Sequence, residues 1–181
     1  MRIISGSWRG RRIVAPTGQQ TRPTSDRARE GLFSMLASRL GSFEDLRAAD
    51  LFAGSGALGL EALSRGAAYC LFIDQDRQAI AAIRANVDAM GAAPRADIRQ
   101  GSVEIAAPPG QPLDLMLMDP PYEGDLAQRT LDHVANRAWL APGALLSIET
   151  AAASIDIPPG LTLEAQRRFG KALLTLLRFD A

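Results

Sequence analysis

The chain has 181 residues, 47% of them hydrophobic and 22% charged, the size and balance of one globular domain with a core of useful size. No apolar run is long enough to span a bilayer and no charged-then-apolar leader opens the chain, so a cytoplasmic protein is expected. The formal charge is zero, yet residues 1–30 carry seven arginines against Asp26 and Glu30, a local +5 that the remainder balances with −5. A basic arm on a mildly acidic body fits a polyanionic partner or a solvated tail, and charge by itself does not choose.

In chain order, "RIIS" and "RRIVA" read as two short strands of a hairpin turned at "GSWRG". A polar loop, "TGQQTRPT", follows. "SDRAREGLFSMLASRL" has the spacing of an amphipathic helix, with Ala28, Leu32, Phe33, Leu36 and Leu40 on one side. From residue 47 strands and helices alternate. "RAADLF" is a strand and "GALGLEALSRG" a helix; "AYCLFID" is a strand and "DRQAIAAIRANVDAMG" a helix. "RADIRQ" and "LDLMLM" are strands, "LAQRTLDHVANRAWL" is a helix, and "GALLSIE" is a strand. "LTLEAQRRF" and "ALLTLLRFD" close the chain as a pair joined at "GK". This alternation predicts an α/β fold with a doubly wound, mostly parallel sheet. The final pair adds an antiparallel strand at one edge.

Two residue types exclude some chemistries. Cys70 is the one cysteine and sits in an apolar run, so it reads as core, and no internal disulfide can form. His133 is the one histidine and falls in a helical pattern. One Cys and one His cannot assemble a Cys/His zinc site, and no metal is expected. No G-x-S-x-G elbow is present for a serine hydrolase.

In doubly wound sheets ligands bind beyond the carboxyl ends of the strands, so those ends are compared. The first strand runs through Asp50 and Phe52 into Gly54-Ser55-Gly56-Ala57-Leu58-Gly59, a G-x-G-x-x-G turn that lets backbone approach a ligand closely. The second ends in Asp74, an acid placed to accept both hydroxyls of a ribose. NAD enzymes and S-adenosylmethionine (SAM) enzymes both fit this pair. The fourth strand ends in Asp119-Pro120-Pro121-Tyr122. One proline would end a strand. Two hold the chain extended and leave the Pro120 carbonyl able to accept. Asp119 and that carbonyl can each take one N–H of an exocyclic amine, aiming its lone pair at a methyl donor. Tyr122 offers a face for the ring that carries the amine.

With these motifs in hand, the chain resembles the class I SAM-dependent methyltransferases that methylate amines. The amino-terminal "RIISGSWRGRRI" and "RPTSDRAREGLFSML" sharpen the resemblance to the bacterial small-subunit (16S) ribosomal RNA guanine-N2 methyltransferases of the RsmD type, from residue 2 to "RRFGKALLTLLRF". The resemblance implies a Rossmann-like, seven-stranded sheet, SAM as cofactor and a guanine of small-subunit ribosomal RNA as substrate. It assigns Asp50, Gly54, Ser55 and Gly56 to the SAM glycine motif, Asp74 to the ribose, and Asp119 to Tyr122 to the catalytic tetrapeptide. Phe52 joins the cofactor set. Ser102 stands where many SAM enzymes carry an acid near the adenine amine. Arg22, Pro23, Thr24 and Glu30 match a signature for substrate docking and closure of the SAM pocket. Residues 1–24 then form an RNA-docking arm on a methyltransferase domain of residues 25–181. Arg2, Arg9, Arg11 and Arg12 pair with RNA phosphates in this picture. Trp8 stacks on an unpaired base or packs the hairpin on the domain. A monomer is expected. Adenine-N6 methylation of DNA or RNA uses the same amine clamp, and an NAD-binding oxidoreductase fits Gly54 to Asp74 while leaving Asp119 to Tyr122 unexplained.

Overall fold

In the computed structural model, which describes residues 1–16, 26–122, 124–135, 138–151 and 155–180, the expected alternation resolves into four helices and seven strands. They are α1 (Asp26–Leu40), β1 (Arg47–Leu51), α2 (Ala57–Ser64), β2 (Tyr69–Asp74), α3 (Arg77–Met90), β3 (Ala96–Gln100), β4 (Leu113–Met118), α4 (Leu126–Ala135), β5 (Leu140–Thr150), β6 (Leu161–Phe169) and β7 (Ala172–Phe179). All seven strands form one sheet, in the order β3-β2-β1-β4-β5-β7-β6. β1 to β5 pair in parallel, and β7 pairs antiparallel with both β5 and β6. The closing pair therefore enters the sheet with its second strand inward. β7, with Leu174, Leu176 and Leu177 buried, takes the covered place, and β6, exposed at most positions, takes the edge.

The central strands are apolar on both faces, as a parallel sheet with helices on both sides requires. Alternate residues divide the core. Ala48, Cys70, Phe72, Leu115 and Leu117 face α1, α2 and α3, meeting Leu32, Phe33, Leu36, Leu60 and Ile83. Ala49, Leu71, Ile73, Met116 and Met118 face the other way, onto Leu131, Val134 and Trp139. Each Leu, Ile, Phe or Met side chain so removed from water is worth about 1.5–3 kcal/mol. α2 lies close on β2 because Gly59 has no side chain: a Cβ there would sit 2.3 Å from the Phe72 ring and 2.6 Å from Cys70 Sγ. α3 starts on a cap, the Asp76 carboxylate accepting from Gln78 N at 2.9 Å, and ends at Gly91 with φ 68°.

The amino-terminal segment folds back on itself as a short hairpin: Arg2 bridges antiparallel to Arg12, Ile3 N donates to Arg11 O at 3.0 Å, Ile13 N to Met1 O at 3.1 Å and Gly10 N to Ile3 O at 2.9 Å. It is seated on the domain by its own backbone. Ile4 N and Ser5 N donate to the fully buried Glu61 carboxylate at 2.8 and 3.0 Å, and Trp8 N donates to Ser64 Oγ at 3.0 Å. Gly6 makes this approach possible, since a Cβ there would meet Ser64 O at 1.9 Å. Ile3 and Ile13 are buried in the core. Residues 17–25, with the expected polar loop and Arg22, Pro23 and Thr24, lie outside the described residues. Among the described residues no helix is long and apolar enough to cross a membrane.

Candidate active site

The strand order reverses between β1 and β4, where the connections leave to opposite sides and open a crevice beyond the strand ends. A cavity of about 390 Å³ occupies this position. Asp50, Phe52, Gly54, Ser55 and Asp74 line it from one side, and Asp119, Pro120, Pro121 and Tyr122 from the other. Residues from two distant parts of the chain thus share one space. Gly56 and Ser102 do not line the cavity. Gly56 starts α2, packed beside Phe72 and Ile83, and the Ser102 hydroxyl caps a short 3-10 turn by accepting from Glu104 N at 3.3 Å.

The β1–β2 side is held together by carboxylates that accept backbone N–H groups. Asp50 takes Gly59 N at 2.8 Å, and Asp74 takes Gly54 N at 2.8 Å on one oxygen and Asp76 N at 2.9 Å on the other. Each Asp74 oxygen has a further lone pair for a ligand hydroxyl. Asp50 is 1% exposed, and this burial holds its carboxyl well above the usual carboxylate range; the Gly59 N–H opposes the shift, while Asp119 and Asp74 add to it. Phe52 takes a left-handed backbone, φ 64°, at the turn out of β1, a conformation that costs energy in a residue with a Cβ and clusters at binding sites.

The β4–β5 side is built differently. Asp119 is half-buried and Tyr122 is 44% exposed. The Tyr122 hydroxyl donates to Glu149 Oε1 at 2.5 Å. Burial raises the Glu149 carboxyl above its ordinary range, and Asp119 raises it further, against the Tyr122 hydrogen bond.

Sequence reasoning missed Glu149, Arg29 and Asn86. Arg29 counts toward the charge of the basic arm but is 1% exposed and lines the cavity, with Nη2 donating to Arg2 O and to Asp26. Desolvation lowers its pKa. Asn86 Nδ2 donates to Ser55 O and to Val14 O, both at 2.9 Å, tying arm to glycine turn. A polar residue amid Ile80, Ile83 and Val87 on the core face of α3 is the signal that could have found it. Glu30 is exposed on α1.

Of the arm residues, Arg2, Arg9, Arg11 and Arg12 are exposed. Arg2 Nη1 donates to Gly10 O at 2.8 Å and Arg11 Nη2 donates to Ala89 O, near the carboxyl end of α3. Trp8 is half-buried against the core, with the Arg95 guanidinium 5.0 Å from its ring centre, which is the packing alternative of the two expected for it. His133 Nε2 lies 3.1 Å from Ala106 O, a satisfied helix residue.

Comparison with known proteins adds an independent line. A model of the family described as conserved hypothetical protein 95 matches residues 1–178. The ribosomal RNA small subunit methyltransferase D of Escherichia coli is 34% identical over 183 residues, covering 100% of this chain and 91% of that protein. Its namesake in Haemophilus influenzae is 36% identical over 154 residues, covering 83% of this chain and 78% of the relative. The solved structure of yhhF from Escherichia coli, described as a methyltransferase, superposes with a TM-score of 0.88 at 35% identity, over 100% of this chain and 98% of that one.

Proposed function

The chain belongs to the conserved hypothetical protein 95 family, together with the ribosomal RNA small subunit methyltransferases D, and on that premise we propose that it is a SAM-dependent enzyme methylating the exocyclic N2 amine of a guanine in small-subunit (16S) ribosomal RNA. The observation that carries this reading is the meeting of Asp74 and the glycine turn with Asp119 to Tyr122 around one cavity. Such a cavity suits a nucleoside-bearing donor on one side and an acceptor amine on the other.

The residues present fit SAM. Gly54 and Ser55 bring backbone to the cavity, Asp74 has lone pairs for the ribose, and Phe52 offers an apolar face. When bound, SAM supplies an electrophilic methyl group on a sulfonium. The protein's part is placement. Asp119 accepts one N–H of the amine and the Pro120 carbonyl the other, fixing the amine plane so that its lone pair faces the methyl group. The exposed face of Tyr122 stacks on the base while Glu149 holds its hydroxyl. The base must come out of its helix to reach this ring, or lie in a loop. Arg9, Arg11 and Arg12 give the arm its affinity for phosphates, so RNA binding weakens as salt rises.

The test is transfer of radiolabel from SAM to small ribosomal subunits taken from cells that lack the activity. Label in RNA, recovered as N2-methylguanine on nucleoside analysis, is expected. Absence of label under conditions where calorimetry shows SAM bound would sink the reading, and N6-methyladenine in its place would move the substrate to adenine.

A further inference from the structure

The amine clamp grips an N–H₂ group and does not by itself name the ring that carries it. β4 and β5 are parallel neighbours with Met118 opposite Ile148. The next residue on each strand is an acid, Asp119 and Glu149. The register therefore stands two carboxylates side by side at the mouth of the site. Glu149 is 6% exposed and lines the 390 Å³ cavity; it also lines a second space of about 230 Å³ across Pro120, Pro121 and Tyr122. Its Oε1 is fixed by the Tyr122 hydroxyl, and Oε2 takes no hydrogen bond among the described residues.

Two carboxylates side by side, the buried one keeping an oxygen that takes no hydrogen bond among the described residues, match a ligand that presents two adjacent N–H donors. Among the bases with exocyclic amines, guanine alone has that edge: its N2 amine stands beside N1–H. In adenine the amine stands beside the N1 lone pair, and in cytosine beside the N3 lone pair. An ionised carboxylate facing either lone pair is repelled, and its own desolvation goes uncompensated. Resting on the methyltransferase reading above, we propose that Glu149 is the residue that selects guanine, accepting the ring N1–H while Asp119 holds the neighbouring N2 amine. Tyr122 has a second task here, as the donor that orients the Glu149 carboxylate.

The analogue that isolates this contact is 2-aminopurine, which keeps the C2 amine but carries a lone pair at N1. Once mass spectrometry has mapped the methylated nucleotide, that position is rebuilt as guanine or as 2-aminopurine in otherwise identical small-subunit RNA. The expected result is a preference for guanine of about 100-fold or more in kcat/KM, because a site built to hydrogen-bond a donor rejects the analogue lacking it. Glu149→Gln, whose amide can turn either an oxygen or an N–H₂ toward N1, is expected to bring that preference within about tenfold. Calorimetric SAM binding reports that the variant is folded. Equal rates of the unaltered enzyme on the two RNAs overturn the inference without recourse to any variant, as does a Glu149→Gln enzyme that keeps the full preference. If the unaltered enzyme leaves guanine unmethylated while binding SAM, the reading beneath the inference falls and takes the inference with it; failure of the preference with guanine still methylated removes the inference alone.

Discussion

The two sides of the cavity are built on opposite plans. On the β1–β2 side the carboxylates are engaged by the chain: Asp50 holds the amino-terminal turn of α2, and Asp74 ties the glycine turn after β1, through Gly54 N, to its own loop, through Asp76 N. That side is pre-organised, so a ligand meets a shape that already exists. On the β4–β5 side Asp119 and Glu149 stand together, and Tyr122, which steadies Glu149, is largely exposed. That side keeps one oxygen of the buried Glu149 carboxylate without a hydrogen bond among the described residues. A half held by its own backbone suits a donor common to many reactions, and a half with an acceptor to spare suits the choice of substrate.

The contrast can be broken first at Asp119. Asp119→Ala is expected to lower methyl transfer by roughly 10³-fold, the scale of losing a positioned polar group at the reacting atoms, while SAM affinity measured by calorimetry stays near that of the unaltered protein. A comparable loss of SAM affinity would merge the two halves into one unit. Asp74→Ala acts on the other half and removes the acceptor of two backbone N–H groups as well as the ribose contact. SAM Kd is expected to rise about 10- to 100-fold, the size of one or two hydrogen bonds to a charged group. An unchanged Kd would remove Asp74 from the cofactor side.

Asp50→Asn gives the smallest effect and reads on stability. Burial raises the native pKa of Asp50 above 3.8, its ordinary value. The native state therefore binds this proton more tightly than the unfolded chain does. Below pH 3.8 both states are protonated and the residue carries no penalty. As pH rises above that value the unfolded chain ionises first, and stability falls until the native carboxyl also releases its proton. The amide still accepts from Gly59 N and has nothing to release, so Asp50→Asn is expected to flatten that part of the slope in urea unfolding measured across pH. A slope unaltered by the substitution would place the raised titration elsewhere.

Much of this site could be read locally. Gly54 to Gly59, Asp74, and Asp119 to Tyr122 announce themselves because a turn between strand and helix, or a strand end followed by two prolines, needs those residue types at those spacings. Ser102 shows a local role that spacing did not give: its hydroxyl accepts from Glu104 N and caps a 3-10 turn. Arg29 was hidden by composition, since a charge count cannot tell a solvated arginine from one packed in α1 against Arg2 O. The hairpin expected at the amino terminus forms as a short one, with Ile3 N donating to Arg11 O and Ile13 N to Met1 O, while the neighbouring Ile4, Ser5 and Trp8 N–H groups dock it on Glu61 and Ser64 of α2, which no local reading shows.

The residues read alone carry the alternation of strands and helices, the glycine turn, the family and the Asp119–Tyr122 tetrapeptide, because local backbone chemistry and period set all of them. Only the tertiary structure decided that β7 inserts between β5 and β6, that Asn86 ties the arm to the glycine turn, and that Glu149 stands beside Asp119. The physical reason is register. Which side chains meet across a parallel sheet depends on how two strands far apart in the chain slide into alignment, and that is fixed by packing of the whole core on both faces, not by any stretch of residues read alone.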